Sequence, residues 1–273
     1  MAELYRKSSQ FRLWSFDAPT LAQMKSRNFK RSADEAYLDA HEAEQLVLFF
    51  ASDKLGAICE HLNLPSQVRA TSAAYFRRFF LVNSANDYDP RLLLPTCVFL
   101  AAKSENCFIT ADQLASSLQN IDAQRVRALE FELFSTMKFT LTVHNGLWPL
   151  QGFFLDIQRC TDTDQETLAA MFDSARKLVI ECFANDVVFL YSPSRIALAA
   201  LMAANEFVVT EFMAVSMDGP NRSLDTLLES VHACREKMNE RSQVTMSKEE
   251  LKQVNKKLKM RFSPDSSKRV KTS

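Results

Sequence analysis

Residues 88–106 read YDPRLLLPTCVFLAAKSEN, and this stretch decides the fold. Asp89 stands where a side chain can accept hydrogen bonds from the orphan amides that open a helix. Pro90 fills the first helical position, where its missing N–H costs nothing. An apolar helix follows up to Lys103. Pro95 lies inside it and removes one backbone bond, which predicts a kink or a late start. At a shift of 103 residues the plan recurs: YSPSRIALAALMAAN, residues 191–205, again gives an aromatic, a capping residue, a proline and an apolar helix. The position of Lys103 becomes Glu206 in this second copy, so the halves share a plan and differ in chemistry.

The flanking sequence extends the repeat. Val47, Phe50, Ala51, Leu55, Ile58 and Leu62 recur at steps of three and four and draw one apolar stripe down a helix that Asn63 and Pro65 end. Val68, Ala73, Tyr75, Phe76, Phe79 and Phe80 predict a second helix, buried on most sides. Thr110 with Gln113 forms a capping box, and Asp122 caps a helix carrying Val126, Leu129, Leu133, Phe134 and Met137. Residues 138–145 hold too few apolar positions for a helix and form a connector. Five further helices are expected after it: Trp148–Ile157, Thr163–Phe183 with Thr163 boxed to Glu166, Ser192–Val208, Thr210–Met217 and Ser223–Met238. The predicted organisation is an N-terminal extension with one helix (1–38), a first repeat (39–141), a second repeat (142–240), and a C-terminal helix with a basic tail (241–273). The fold class is all-α: two tandem five-helix repeats with added terminal helices.

Composition agrees and excludes several functions. The chain has four glycines in 273 residues, where an average composition gives about 19. Gly56, Gly146, Gly152 and Gly219 do not stand at the spacing of a dinucleotide or phosphate loop. Net charge is zero, but from Lys248 onward nine Lys/Arg face three acidic residues, so the tail is about +6 and the body about −6. An acidic body gives no electrostatic reason to bind nucleic acid directly. The six cysteines form no C-x-x-C pair, which fits reduced thiols in a cytosolic or nuclear protein. No apolar run reaches the length of a membrane span, so neither secretion nor a membrane is expected.

No catalytic constellation emerges. His41, His61, His144 and His232 lack metal-ligand spacing, and His61 and His232 are expected as partly buried structural histidines. No Ser, Cys or Asp is framed as a nucleophile, and no carboxylates cluster, so neither a metal nor another cofactor is expected. Two polar residues stand out. Lys103 ends a helix that is otherwise nearly all apolar, and Glu130 borders the apolar stripe of its own helix. Lys103 serves either as a favourable charge at a helix C-terminus or as part of a docking rim. Glu130 pairs either with Arg127 one turn back or lies on the same rim. In the tail, Ser247 with Glu250 opens a helix with apolar positions Leu251, Val254 and Leu258, which needs a body to lie on. Ser263 precedes Pro264 and is a candidate phosphate acceptor for a proline-directed kinase.

RATSAAYFRRFF (69–80) followed by YDPRLLLPTCVFLAAKSEN resembles the second and third helices of a cyclin box, and Glu130 with Leu133, Phe134, Met137 and Phe139 resembles the fifth. Cyclins use a lysine at the end of the third helix and a glutamate in the fifth to hold the activation segment and helix C of a cyclin-dependent kinase. The resemblance therefore assigns kinase binding to Lys103 and Glu130, with Phe134 and Leu141 as apolar members of the contact. Ser104 and Asn106 depart from the hydrophobic and acidic residues that usually follow the lysine. YRKSSQFRLWSF, VHNGLWPLQGFFLDI and NRSLDTLLESV are similar to the cyclin H branch, while LPTCVFLA is shared with the cyclin C branch. The first branch implies a nuclear, non-catalytic subunit of the CDK-activating kinase, assembled with its kinase, a RING-finger assembly factor and the transcription factor IIH core. The alternatives are a cyclin C-like subunit of the Mediator kinase module and a transcription factor IIB-like nucleic-acid-associated core.

Overall fold

A computed structural model describes residues 2–27, 37–118, 121–216, 224–239 and 246–262, and among these no strand occurs. Ser263 and Gly219 lie outside the described residues. In chain order the α-helices are α1 (Ala2–Lys7), α2 (Ser9–Trp14), α3 (Ala18–Arg27), α4 (Ala40–Phe49), α5 (Leu55–His61), α6 (Ser66–Val82), α7 (Pro90–Ser104), α8 (Ala111–Ser117) and α9 (Ala123–Thr136). They continue with α10 (Leu147–Cys160), α11 (Gln165–Glu181), α12 (Val187–Leu190), α13 (Pro193–Ala204), α14 (Glu206–Ser216), α15 (Leu224–Asn239) and α16 (Lys248–Arg261). None of the described helices is long and apolar enough to cross a membrane.

The helices gather into two compact units, and the two chain ends are exchanged between them. One unit comprises Ala18–Leu141 with Gln243–Ser273, and the other Met1–Asp17 with Thr142–Ser242. The first-repeat unit is built around α6, whose Val68, Tyr75, Phe76 and Phe79 are fully buried. Phe76 stacks on Phe50 at 6.4 Å and meets Phe80 edge-on at 4.9 Å. α4 and α5 form one continuous rod whose stripe is interrupted by a π-helical turn, Phe50–Lys54. The extra residue of that turn rotates the stripe, so both Phe50 and Leu55 reach the core. α16 closes this unit through Val254 and Leu258, each 1% exposed. Around them the Lys257 ammonium donates to both Glu42 oxygens at 2.6 and 2.7 Å, and the Arg261 guanidinium lies 3.7 Å over the Tyr37 ring.

The second-repeat unit is centred on α13, a helix rich in small residues. Ala197, Ala199 and Ala200 are fully buried and let α10, α11 and α15 approach closely. Gly146, at the N-terminus of α10, sits close against this packing: a Cβ there would lie 3.0 Å from Val179 Cγ1, which would have to give by a few tenths of an ångström, and in ordinary contact at 3.6 Å with Ile196 Cγ2. The N-terminal segment belongs here. Gln10, buried between α2 and the connector, donates from Nε2 to the His144 carbonyl at 2.9 Å and accepts from the His144 N–H at 2.8 Å. Trp14 is 2% exposed, and the Phe16 N–H donates to the Phe189 carbonyl at 2.9 Å.

Several local expectations are corrected. The N-terminal extension has two helices, α1 and α2, ahead of the expected one. α7 begins at Pro90 and runs through Pro95, so no late start occurs. The cap of α11 is Asp164, which accepts from the Thr167 N–H at 2.9 Å, rather than Thr163 boxed with Glu166. The helix expected over Ser192–Val208 stops at Ala204, because the Asn205 side chain caps the next turn by accepting from the Val208 N–H at 3.2 Å. His61 is exposed instead of partly buried, whereas His232 is half-buried as expected.

A charged and aromatic candidate docking surface

α7 and α9 pack against one another and carry the residues singled out in the sequence. The start of α7 is fixed as the sequence predicts: the Asp89 carboxylate accepts from the Arg91 N–H at 2.9 Å, and Pro90 occupies the first turn. With the helix start set, Lys103 falls in the last turn. Its ammonium reaches across to the Glu130 carboxylate of α9 and also lies 4.0 Å from the centroid of the Phe99 ring. The pair is partly solvated, with side chains 43% and 24% exposed. Arg127, the alternative partner for Glu130, instead pairs with Asp112 of α8 at 3.1 Å. Glu130 lies on the flank of α9 that faces α7, and Arg127 turns toward α8.

The chain around Lys103 is held from below. The hydroxyl of the buried Tyr75 of α6 donates to the Leu141 carbonyl at 2.6 Å and lies 3.1 Å from the Ser104 hydroxyl, which itself donates to the Ala101 carbonyl at 2.9 Å. Thr71 donates to the Glu105 carboxylate at 2.6 Å. Ser104 is therefore used internally. Asn106 adopts φ 57°, the left-handed conformation that ends a helix and that Asn tolerates well. The two departures from the cyclin pattern thus have local structural reasons. Burial of Tyr75 pushes its hydroxyl up to about 12, so it is a neutral donor at neutral pH.

Phe134 and Leu141 are both half-buried. Phe134 meets the Phe139 ring edge-on at 5.0 Å. Lys138 and Phe139 have φ of 54° and 56°, a conformation that costs bulky residues energy. The N–H of Phe139, donating to the Phe134 carbonyl at 3.2 Å, and that of Thr140, donating to Met137 at 3.1 Å, hold it. Sequence reasoning missed Phe131, which is 71% exposed beside Glu130, and gave no surface role to Phe139, 60% exposed, or Phe108, 87% exposed. Phe131 lies off the stripe of Val126, Leu133 and Met137, and that was the available signal. The expected stripe of α9 is also narrower than read, since Leu129 and Phe134 are only half-buried.

A partly solvated ion pair on a helix pair that also exposes aromatic rings suits protein docking, where aromatic anchors and partly desolvated charges dominate the energy. Among the described residues no His/Cys/Asp/Glu group could hold a metal ion. The four buried thiols are poor nucleophiles: burial pushes Cys59, Cys182 and Cys234 up to about 12 and Cys97 well above its usual value. Cys160 is exposed and Cys107 half-buried. A thiol-alkylating reagent is therefore expected to label Cys160 first and Cys107 more slowly, with the other four reacting only on unfolding; intact-mass spectrometry of the native protein checks this order.

The second unit carries a counterpart with inverted polarity. Glu206, at the start of α14, pairs with Arg235 of α15 at 2.6 Å, and that hydrogen bond and charge lower its carboxyl below the usual 4.5. The repeat thus keeps a cross-helix ion pair while exchanging its signs, so the two units present different surfaces to a partner.

Comparison with known proteins agrees with this architecture. The cyclin N-terminal domain family matches residues 20–142, and the cyclin C-terminal domain family matches residues 147–239. Cyclin CCL1 of Saccharomyces cerevisiae is 34% identical over 238 residues, covering 77% of this chain and 60% of the relative, so the chain spans about 60% of that protein's length. A chain in the structure of the CAK complex from Chaetomium thermophilum bound to ATP-gamma-S superposes with a TM-score of 0.85 at 25% identity, over 97% of this chain and 90% of that one. A chain in the yeast TFIIK (Kin28/Ccl1/Tfb3) complex gives a TM-score of 0.76 at 35% identity, over 86% of this chain and all of that one. With both repeats matched in order, the chain belongs to the cyclin family.

Proposed function

We propose that this cyclin is the non-catalytic subunit of a CDK-activating kinase, of the cyclin H type, and that it binds and activates its kinase through the α7–α9 surface. The observation that carries the reading is the partly solvated Lys103–Glu130 pair between α7 and α9, with Phe131 of α9 and the following Phe139 also exposed, in a chain similar along most of its length to chains in the structures of kinase complexes. Lys103, Glu130, Phe134 and Leu141 form the kinase contact. The surface supplies fixed charges and apolar anchors that bias the kinase's helix C and activation segment toward the arrangement phosphoryl transfer requires. The third chain named with Kin28 and Ccl1 supports a RING-finger assembly factor as a further partner. The transcription factor IIH core, action on other cyclin-dependent kinases and on the RNA polymerase II C-terminal domain, and a nuclear location belong to the same reading. Ser263 is proposed as a phosphate acceptor in the tail.

The test is reconstitution. The purified full chain is expected to show no phosphoryl transfer alone. Mixed with the Kin28-type kinase of the same organism, it is expected to form a stoichiometric complex and raise the kinase's activity on a polymerase-tail peptide. Failure of the two to associate, or transfer by the cyclin alone, overturns the reading.

A further inference from the structure

The structure assigns a positioning role to Phe99: its ring holds the Lys103 ammonium in the direction from which the kinase takes it. The inference rests on the α7–α9 surface being the kinase-binding face and goes one layer beneath it. A lysine on a four-carbon stem has many rotamers, and ordering it during docking costs affinity. Here the ordering is already present in the free chain. The Glu130 carboxylate fixes one side of the ammonium but leaves the stem able to pivot about it. The Phe99 ring, one turn back on α7 with its centroid 4.0 Å from Nζ, supplies a second fixed point. Phe99 is only 6% exposed, so the ring cannot swing with the lysine. It is a platform wedged in the core with its face turned to the charge.

The second unit supplies a comparison within the same chain. The shift of 103 residues carries Lys103 to Glu206 and Phe99 to Met202, which is 1% exposed. A carboxylate has nothing to gain from an aromatic face, and none stands there. The ring is found in the repeat whose charge is a lysine, where its electron-rich face is attractive.

The experiment has an intramolecular arm and a binding arm. In the full chain carrying 13C-labelled lysine, the Lys103 ε-methylene protons are expected to show an upfield ring-current shift that Phe99→Leu abolishes and Phe99→Tyr retains. In titrations with the Kin28-type kinase of the same organism, Phe99→Leu is expected to weaken binding about three-fold to five-fold and Phe99→Tyr to restore it. In a Lys103→Met background, Phe99→Leu is expected to add nothing, an outcome that a purely structural role for the ring would not produce. The ring-current arm uses the wild-type chain as well, so it decides even if Phe99→Leu folds poorly. Absence of the shift in the wild type, or an undiminished effect of Phe99→Leu without Lys103, overturns the positioning role and leaves the docking reading intact. No binding by the wild-type chain overturns the docking reading, and the positioning role falls with it.

Discussion

Exchanging the charges of the candidate pair, as Lys103→Glu with Glu130→Lys, is expected to leave the cyclin's melting temperature nearly unchanged and to abolish activation of its kinase. The two halves of this expectation rest on different physics. Within the free chain the pair is partly solvated, with side chains 43% and 24% exposed, so it contributes little to stability whichever way its charges run. Exposed pairs are worth about 0–1 kcal/mol, and losing the Phe99 contact adds a similar amount. At an interface the same groups lose water, and their polarity must match the partner's. Reversing both places like charges against like, at a cost of several kcal/mol, so binding should fall by about 100-fold or more. Lys103→Ala with Glu130→Ala should also lower binding and activity, but it cannot separate a structural pair from a docking pair as the exchange does. Calorimetry gives the melting temperature, and titration with kinase followed by a transfer assay gives the rest. If the exchanged protein binds and activates like the wild type, the α7–α9 surface is not the docking site.

The parts of this surface that the sequence disclosed are those set by local rules. Asp89-Pro90 fixes where α7 begins, which fixes that Lys103 falls in its last turn; helical spacing alone then puts Glu130 at the border of the α9 stripe. That the two meet is a tertiary fact. Arg127 was an equally good local partner for Glu130 until the packing of α8 drew it to Asp112. Phe131 and Phe139 were hidden for a related reason: an aromatic residue in a rich apolar background reads as core, and only the observed orientation of α9 leaves these rings in water. Errors elsewhere were competitions between equally suitable caps. Thr163 and Asp164 both precede α11, and Asn205 sits within an apolar run where its side chain, not the run, decides the break. The π turn at Phe50–Lys54 has no local signature, because an insertion that keeps both Phe50 and Leu55 buried is visible only against α6.

Least legible of all was the exchange of the chain ends, and it leads to the second large expected effect. Trp14→Ala should destabilise the second-repeat unit by about 3–5 kcal/mol, and Leu258→Ala the first-repeat unit by about 2–5 kcal/mol, as truncations of buried side chains do. Trp14 is 2% and Leu258 1% exposed. Each lies far in sequence from the helices it supports: Trp14 counts with residues 142–242, and Leu258 with 18–141. Hydrogen exchange followed by mass spectrometry reads this directly, since exchange through local opening reports each cooperative unit separately. Trp14→Ala is expected to raise exchange first in peptides of α10, α11, α13 and α15, leaving α6, α7 and α9 protected. Leu258→Ala is expected to do the reverse, and to weaken kinase binding at temperatures where the Trp14 variant still binds, because Lys103 and Glu130 belong to the unit that α16 closes. Were Trp14→Ala to loosen α6 and α7 as early as α13, residues 1–17 would not be part of the second-repeat unit in solution, and the exchange of the chain ends would be wrong.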